Sequence, residues 1–172
     1  MKNIIFIGGI HGSGKGHICN LIVQEKEIQH LTASEVLKWE DFSTQEEKKV
    51  DDISKTQDRL ITNLRAIVKE NQEYLLDGHY CLLNKDKVPE KVPVQTFMDI
   101  NPSKLILVIA DPQIIKERLE QRDSKKYELN LIEEFQDLEL DFAKELSSIL
   151  NVELLILDSQ EFDKENLLKY LD

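Results

Sequence analysis

Ile4-Ile5-Phe6-Ile7-Gly8-Gly9-Ile10-His11-Gly12-Ser13-Gly14-Lys15-Gly16 is an apolar run followed by five of the chain's six glycines. The run is apolar at every position, so it reads as a strand buried on both faces. The glycines after it describe a backbone that wraps closely around something. Their G-x-x-x-x-G-K spacing from Gly9 to Lys15 identifies phosphate groups of a nucleotide, because amides without a Cβ beside them can approach phosphate oxygens. Lys15 adds a mobile positive charge, and a helix starting there points its positive end at the anion. The full pattern has Ser or Thr after the lysine; here Gly16 stands in that place. A glycine-rich turn that merely closes a strand–helix unit is the poorer reading.

Outward from this loop, buried strands alternate with amphipathic helices. Strands are predicted near Ile28–Thr32, at Tyr74-Leu75-Leu76-Asp77-Gly78, at Lys104–Ala110 and at Val152–Leu157. Helices are predicted from Gly14, from a Ser34 cap through Trp39, within Gln45–Asn71, from Asp111-Pro112 to Arg122, over Ile132–Ile149 and over Phe162–Leu171. The alternation implies an α/β fold with a parallel sheet covered on both faces. Pro89 and Pro93, with lysines between, mark a long surface loop, and all 172 residues read as one domain.

A net charge of −11 argues against extended nucleic-acid binding, which needs a basic face. The apolar start is too short for a membrane span and contains the glycine loop. Cys19 and Cys81 have no metal or redox spacing and fit reduced thiols, so a cytoplasmic protein is expected.

Nucleotides sit beyond the carboxyl ends of parallel strands, which is where Asp77 falls. Asp77 is read as holding Mg²⁺ through water, with turn capping as the alternative. Asp111 has the same placement, but its capping role before Pro112 already explains it. Arg118 and Arg122 stand four apart on one helical face, before the polar segment Asp123–Asn130. Two forked cations there either steady a transferring phosphoryl group or pair with Glu117 and Glu120 at the surface. His11 and His17 flank the lysine. His11 is a phosphate or acceptor contact or an exposed loop side chain. Lys38, Arg59, His79 and Tyr80 are candidates for an acceptor site, His79 and Tyr80 alternatively forming a packed pair. Trp39 and Phe42 stack on a base or belong to the core.

Gly9-x-His11-Gly12-x-Gly14-Lys15-Gly16 followed by Leu75-Leu76-Asp77-Gly78 resembles the adenylate kinase branch of the nucleoside monophosphate kinases. That branch carries the P-loop (Walker A type) as G-x-P-G-x-G-K-G-T, with glycine after the lysine as here. Arg118-x-x-x-Arg122-Asp123 is similar to its arginine pair at the lid, and Ile132-Glu133-Glu134-Phe135-Gln136 to the post-lid helix of archaeal members. The resemblance implies a three-layer P-loop NTPase fold with a five-stranded parallel sheet, an acceptor-site insertion at about 30–90 and a short lid at about 123–130. It implies ATP and Mg²⁺ as ligands, with Gly9, His11, Gly12, Ser13, Gly14, Lys15, Gly16, His17 and Arg118 around the nucleotide and Lys15, Asp77, Arg118 and Arg122 at the chemistry. A nucleotide, or another small phosphoryl acceptor, is the expected partner.

The departures lie on the acceptor side. His11 replaces the loop proline and His17 the threonine, His79-Tyr80-Cys81 stands where Phe-Pro-Arg is usual, and Lys38 stands for an arginine. Two other readings therefore stay open. One is a kinase of a hydroxyl on a metabolite or a nucleic-acid end, with Asp77 or His79 as base. The other is an ATP-binding switch or adaptor read by a partner.

Overall fold

Strand β1 (Ile4–Gly8) is buried at all five positions, and its neighbours explain why. In the computed structural model, which describes residues 3–38, 53–84 and 86–172, β1 lies at the centre of a five-stranded sheet. Its neighbours are β3 (Tyr74–Asp77) on one side and β6 (Lys104–Ile109) on the other. Outside them run β2 (Gln29–Thr32) and β7 (Leu154–Asp158), giving the order β2-β3-β1-β6-β7, parallel throughout. The expected P-loop α/β architecture is the one observed. Registers Ile7↔Asp77, Thr32↔Asp77 and Ile109↔Asp158 bring the carboxyl ends to one edge of the sheet.

Alternation along β1 sorts the helices into two layers. Ile5 and Ile7 face α1 (Lys15–Glu25) and α7 (Lys164–Leu171), packing with Ile18, Ile22, Leu75 and Leu167. Ile4 and Phe6 face the opposite layer, which includes α3 (Ile53–Ile67), α4 (Val94–Ile100) and α6 (Leu129–Leu150), with Leu64, Phe97, Phe142 and Leu146. A smaller cluster joins Ile10 of the glycine loop to Ile115 and Leu119 of α5 (Pro112–Asp123), so that helix is seated directly on the loop. Asp111 caps α5 as expected, accepting from the amides of Gln113 and Ile114.

Four expectations need correction. The helix after β2, α2 (Ala33–Lys38), starts one residue before Ser34, and its cap is Thr32, whose Oγ1 accepts from the Glu35 amide at 3.2 Å. The spacing Thr32-x-x-Glu35 is that of a capping box, with Thr32 Oγ1 also donating to Glu35 Oε2 at 2.8 Å. The supposed surface loop around the prolines is an antiparallel hairpin of β4 (Cys81–Leu83) and β5 (Pro89–Lys91) leading into α4. Pro89 opens the hairpin's second strand, where a missing N–H is tolerated. The last strand is not fully buried: β7 is an edge strand, with Ile156 39% exposed. The segment between α5 and α6 is only residues 124–128, because Asp123 still belongs to α5 and Leu129 already to α6. Trp39, Phe42 and the first part of the charged 45–71 segment lie outside the described residues. No helix among the described residues is long and apolar enough to cross a membrane.

Candidate nucleotide site

Between β1 and α1 the backbone takes positive φ at Gly9 (148°), Gly12 (85°) and Gly14 (95°), a sequence of conformations that L side chains rarely adopt. A Cβ on Gly14 would lie 2.7 Å from the Ser159 side chain, and one on Gly9 would lie 2.5 Å from the Val108 carbonyl oxygen. The loop is thus held against the ends of β6 and β7. Gly14 is the N-cap of α1 and supplies no side-chain acceptor, which leaves the first-turn amides to an anion. The Ser13 side chain is fully buried, so only its backbone can serve a ligand. Gly16 differs from the other loop glycines. A Cβ there would meet nothing within 4 Å. Gly16→Ala is therefore expected to stabilise the protein by about 0.5–1 kcal/mol through the unfolded state and helix propensity, read as a raised urea midpoint with unchanged slope.

A cleft of about 520 Å³ opens over this loop, lined by Ile10, His11, Gly12, Gly14, Lys15, Gly16, His17, Arg118, Arg122 and Ser159. From α5, Arg118 donates through Nη1 to the Gly12 carbonyl at 3.0 Å, tying the helix to the loop. One turn on, Arg122 forms a fork with Asp123 (Nε–Oδ1 2.6 Å, Nη2–Oδ2 2.9 Å), and the Tyr127 hydroxyl donates to the same carboxylate. These partners hold the Asp123 carboxyl well below its ordinary range. The arginines thus neither pair with Glu117 nor with Glu120.

Lys15 reaches across to Asp77 and pairs with Oδ1, both side chains being largely buried. The other oxygen, Oδ2, lies 3.9 Å from Cys19 Sγ and 3.8 Å from His30 Nε2. Beyond Asp77, the His79 ring packs against His11 with centroids 4.6 Å apart. Burial first, then the nearby Lys15 charge, pushes His79 down to about 3 and also lowers His11, so both imidazoles are neutral at pH 7. His79 Nδ1 stands 3.9 Å from Glu139 Oε1, a carboxylate with no exposed surface that accepts from the Tyr80 and Cys81 amides at 3.1 Å.

Tyr80 is not an acceptor contact. Its ring is fully buried, packs edge-on to Phe6, and its hydroxyl donates to the Ile106 carbonyl at 3.0 Å. The ring fills the space beside Gly8, where a Cβ would meet it at 2.4 Å. Lys38 is exposed at the end of α2 and Arg59 half-buried on α3; neither lines the cleft. Arg65 pairs at the surface with Asp99, as a solvated helix face should.

The AAA domain family model matches residues 8–136, from the glycine loop through both arginines into α6. The chain belongs to the AAA domain family. This is a P-loop NTPase-like family that includes kinases, and the matched residues take in the glycine loop and both arginines of the cleft. The chain matches no curated protein. Two family-site neighbours escaped the sequence reading. Ser159 follows the last strand and could have been found by the same strand-end rule that picked out Asp77. Glu139 was visible as one carboxylate between Phe135, Leu138 and Phe142 on the apolar face of α6.

Proposed function

We propose that the chain is an ATP-dependent phosphotransferase of the nucleoside monophosphate kinase type, similar to adenylate kinases, which moves the γ-phosphoryl group of Mg·ATP to a nucleotide acceptor in the cytoplasm. The observation that carries this reading is the convergence of Lys15, Arg118 and Arg122 on one cleft over the glycine loop. The loop amides and Lys15 hold the β- and γ-phosphates, Lys15 leaving Asp77 for the nucleotide as it binds. Arg118 and Arg122 take up the charge that spreads over the equatorial oxygens during transfer. A monophosphate acceptor is already ionised, so alignment and charge neutralisation suffice without a base.

Mg²⁺ bound with the nucleotide supplies further neutralisation between the phosphates. With Gly16 in place of Ser or Thr, the loop offers it no hydroxyl, so Asp77 would hold it through water. The acceptor is expected on the β2–β3 side, near His79, Lys38 and Arg59. The test is ADP production from Mg·ATP with each common nucleoside monophosphate added separately and with none. One monophosphate should stimulate turnover at least tenfold, and Arg118→Lys should lower that turnover about 10²-fold by losing the fork. Equal, unstimulated turnover with all of them, ATP binding being confirmed, would reject a monophosphate acceptor.

A second reading is favoured by His79-Tyr80-Cys81 standing where Phe-Pro-Arg is usual, which puts Cys81 in the place of an acceptor arginine. The acceptor is then a hydroxyl, and Asp77, released when Lys15 moves to the phosphates, takes its proton. Its mark is an acidic limb in the pH–rate profile that Asp77→Asn removes.

A further inference from the structure

Cys19, His30 and Asp77 come from three different elements, α1, β2 and β3, and meet at the carboxyl end of the sheet on the α1 side. Their candidate ligand atoms all lie within 4.8 Å of one another. None of the phosphate-binding roles uses Cys19 or His30. His30 Nε2 is a buried nitrogen with no hydrogen-bond partner, and the closest carboxylate oxygen, Asp77 Oδ2, stands at 3.8 Å. A buried imidazole nitrogen in that position costs free energy unless something is placed against it. The carboxylate divides its work: Oδ1 serves Lys15, while Oδ2 faces the thiol and the imidazole.

We propose that Cys19 Sγ, His30 Nε2 and Asp77 Oδ2 form a binding site for a thiolate-preferring divalent cation of the Zn²⁺ class. Zinc–ligand bonds of about 2.0–2.3 Å in a tetrahedron put neighbouring ligand atoms roughly 3.3–3.6 Å apart. The 3.8 and 3.9 Å separations from Asp77 Oδ2 need only a few tenths of an ångström of closure, while Cys19 Sγ and His30 Nε2, within 4.8 Å of each other, would close by up to about 1.3 Å. The ligand set excludes Mg²⁺ and Ca²⁺, which take oxygen donors, and selects a borderline metal that binds sulfur and imidazole. Binding displaces the Cys19 thiol proton to solvent, as a cation of high thiolate affinity does. Three protein ligands leave the fourth position open, and the half-exposed His30 offers a path from solvent. Lys15 keeps its contact with Oδ1 when the site is filled. The site stands on these three side chains alone and does not depend on the proposed phosphotransfer.

The probe is Co²⁺ added to the nucleotide-free, reduced protein. One equivalent should produce tetrahedral d–d bands together with a thiolate-to-cobalt charge-transfer band, and one equivalent of Zn²⁺ should abolish both. Cys81→Ser should keep the charge-transfer band and Cys19→Ser should lose it. His30→Gln should weaken Co²⁺ binding at least tenfold, and it carries the test if Cys19→Ser fails to fold. Absence of a charge-transfer band in the wild type, its survival in folded Cys19→Ser, or unchanged affinity in His30→Gln would each overturn the site.

Discussion

Lys15→Ala is expected to lower phosphoryl-transfer turnover by about 10²–10³-fold, the size seen when one preorganised charge-stabilising group is removed from a transition state. The structure pairs this lysine with Asp77, and the proposed function gives it the phosphates of the nucleotide as a second partner. The pair with Asp77 is largely buried, so in the proposed function the phosphates compete with that carboxylate for the lysine. In the proposed function, nucleotide binding exchanges one anion for another, which makes the ground-state gain small and reserves the larger effect for the extra charge that develops during transfer. Calorimetric titration with ATP should accordingly show a milder loss of affinity than the loss of turnover. Circular dichroism would confirm that the variant is folded, since Asp77 loses its lysine partner and keeps Cys19 and His30 nearby. Wild-type turnover in Lys15→Ala would remove the lysine from the chemistry and with it the assignment of the cleft to phosphoryl transfer.

What could be read from the chain alone follows from how local each signal is. The buried run Ile4–Ile7 and the glycines after it carry their meaning within thirteen residues, so the central strand, the loop and α1 were all legible. Asp77 was legible because a buried strand that ends on an acid places it at a known edge of the sheet. Arg118 and Arg122 were legible from their i, i+4 spacing, but their partners were not: Gly12 lies 106 residues from Arg118, and the Asp123 fork depends on side-chain rotamers. Tyr80 went astray because nothing in Asp77-Gly78-His79-Tyr80 tells which way the chain turns after the strand. The structure turns His79 toward the glycine loop and Tyr80 into the layer containing Phe6 and Phe97. The hairpin at Cys81–Lys91 has three-residue strands, too short for an alternation to register. The Cys19–His30–Asp77 cluster was invisible for a related reason, since its members are spread over 58 residues and meet only through sheet register.

Glu139 sets a pH dependence of stability that its substitution should expose. Burial dominates and pushes this carboxyl from 4.5 up to about 7, although the Tyr80 and Cys81 amides pull the other way. A carboxyl raised in the fold binds a proton that the unfolded chain has already lost, so stability is fully present below pH 4.5 and declines as pH rises through 7. The neighbouring His79 has the opposite sign. Its imidazole is pushed down to about 3, the unfolded chain binds the extra proton, and stability rises with pH between about 3 and 6.5. His11, lowered more modestly for the same reasons, adds to that rise. The two slopes oppose one another between pH 4.5 and 6.5, and from there to about pH 7 the decline is that of Glu139. Glu139→Gln keeps a carbonyl oxygen for both amides and removes the titrating proton. Urea unfolding should find it close to wild type at pH 5 and more stable at pH 8 by roughly 1–3 kcal/mol. Glu139→Ala leaves two buried N–H groups unpaired and a void between α6 and the start of the hairpin, and should cost at least about 3 kcal/mol at both values. If Glu139→Gln instead lost stability equally at pH 5 and pH 8, the carboxyl would be ionised in the fold, held by His79 as an imidazolium partner rather than by its own proton.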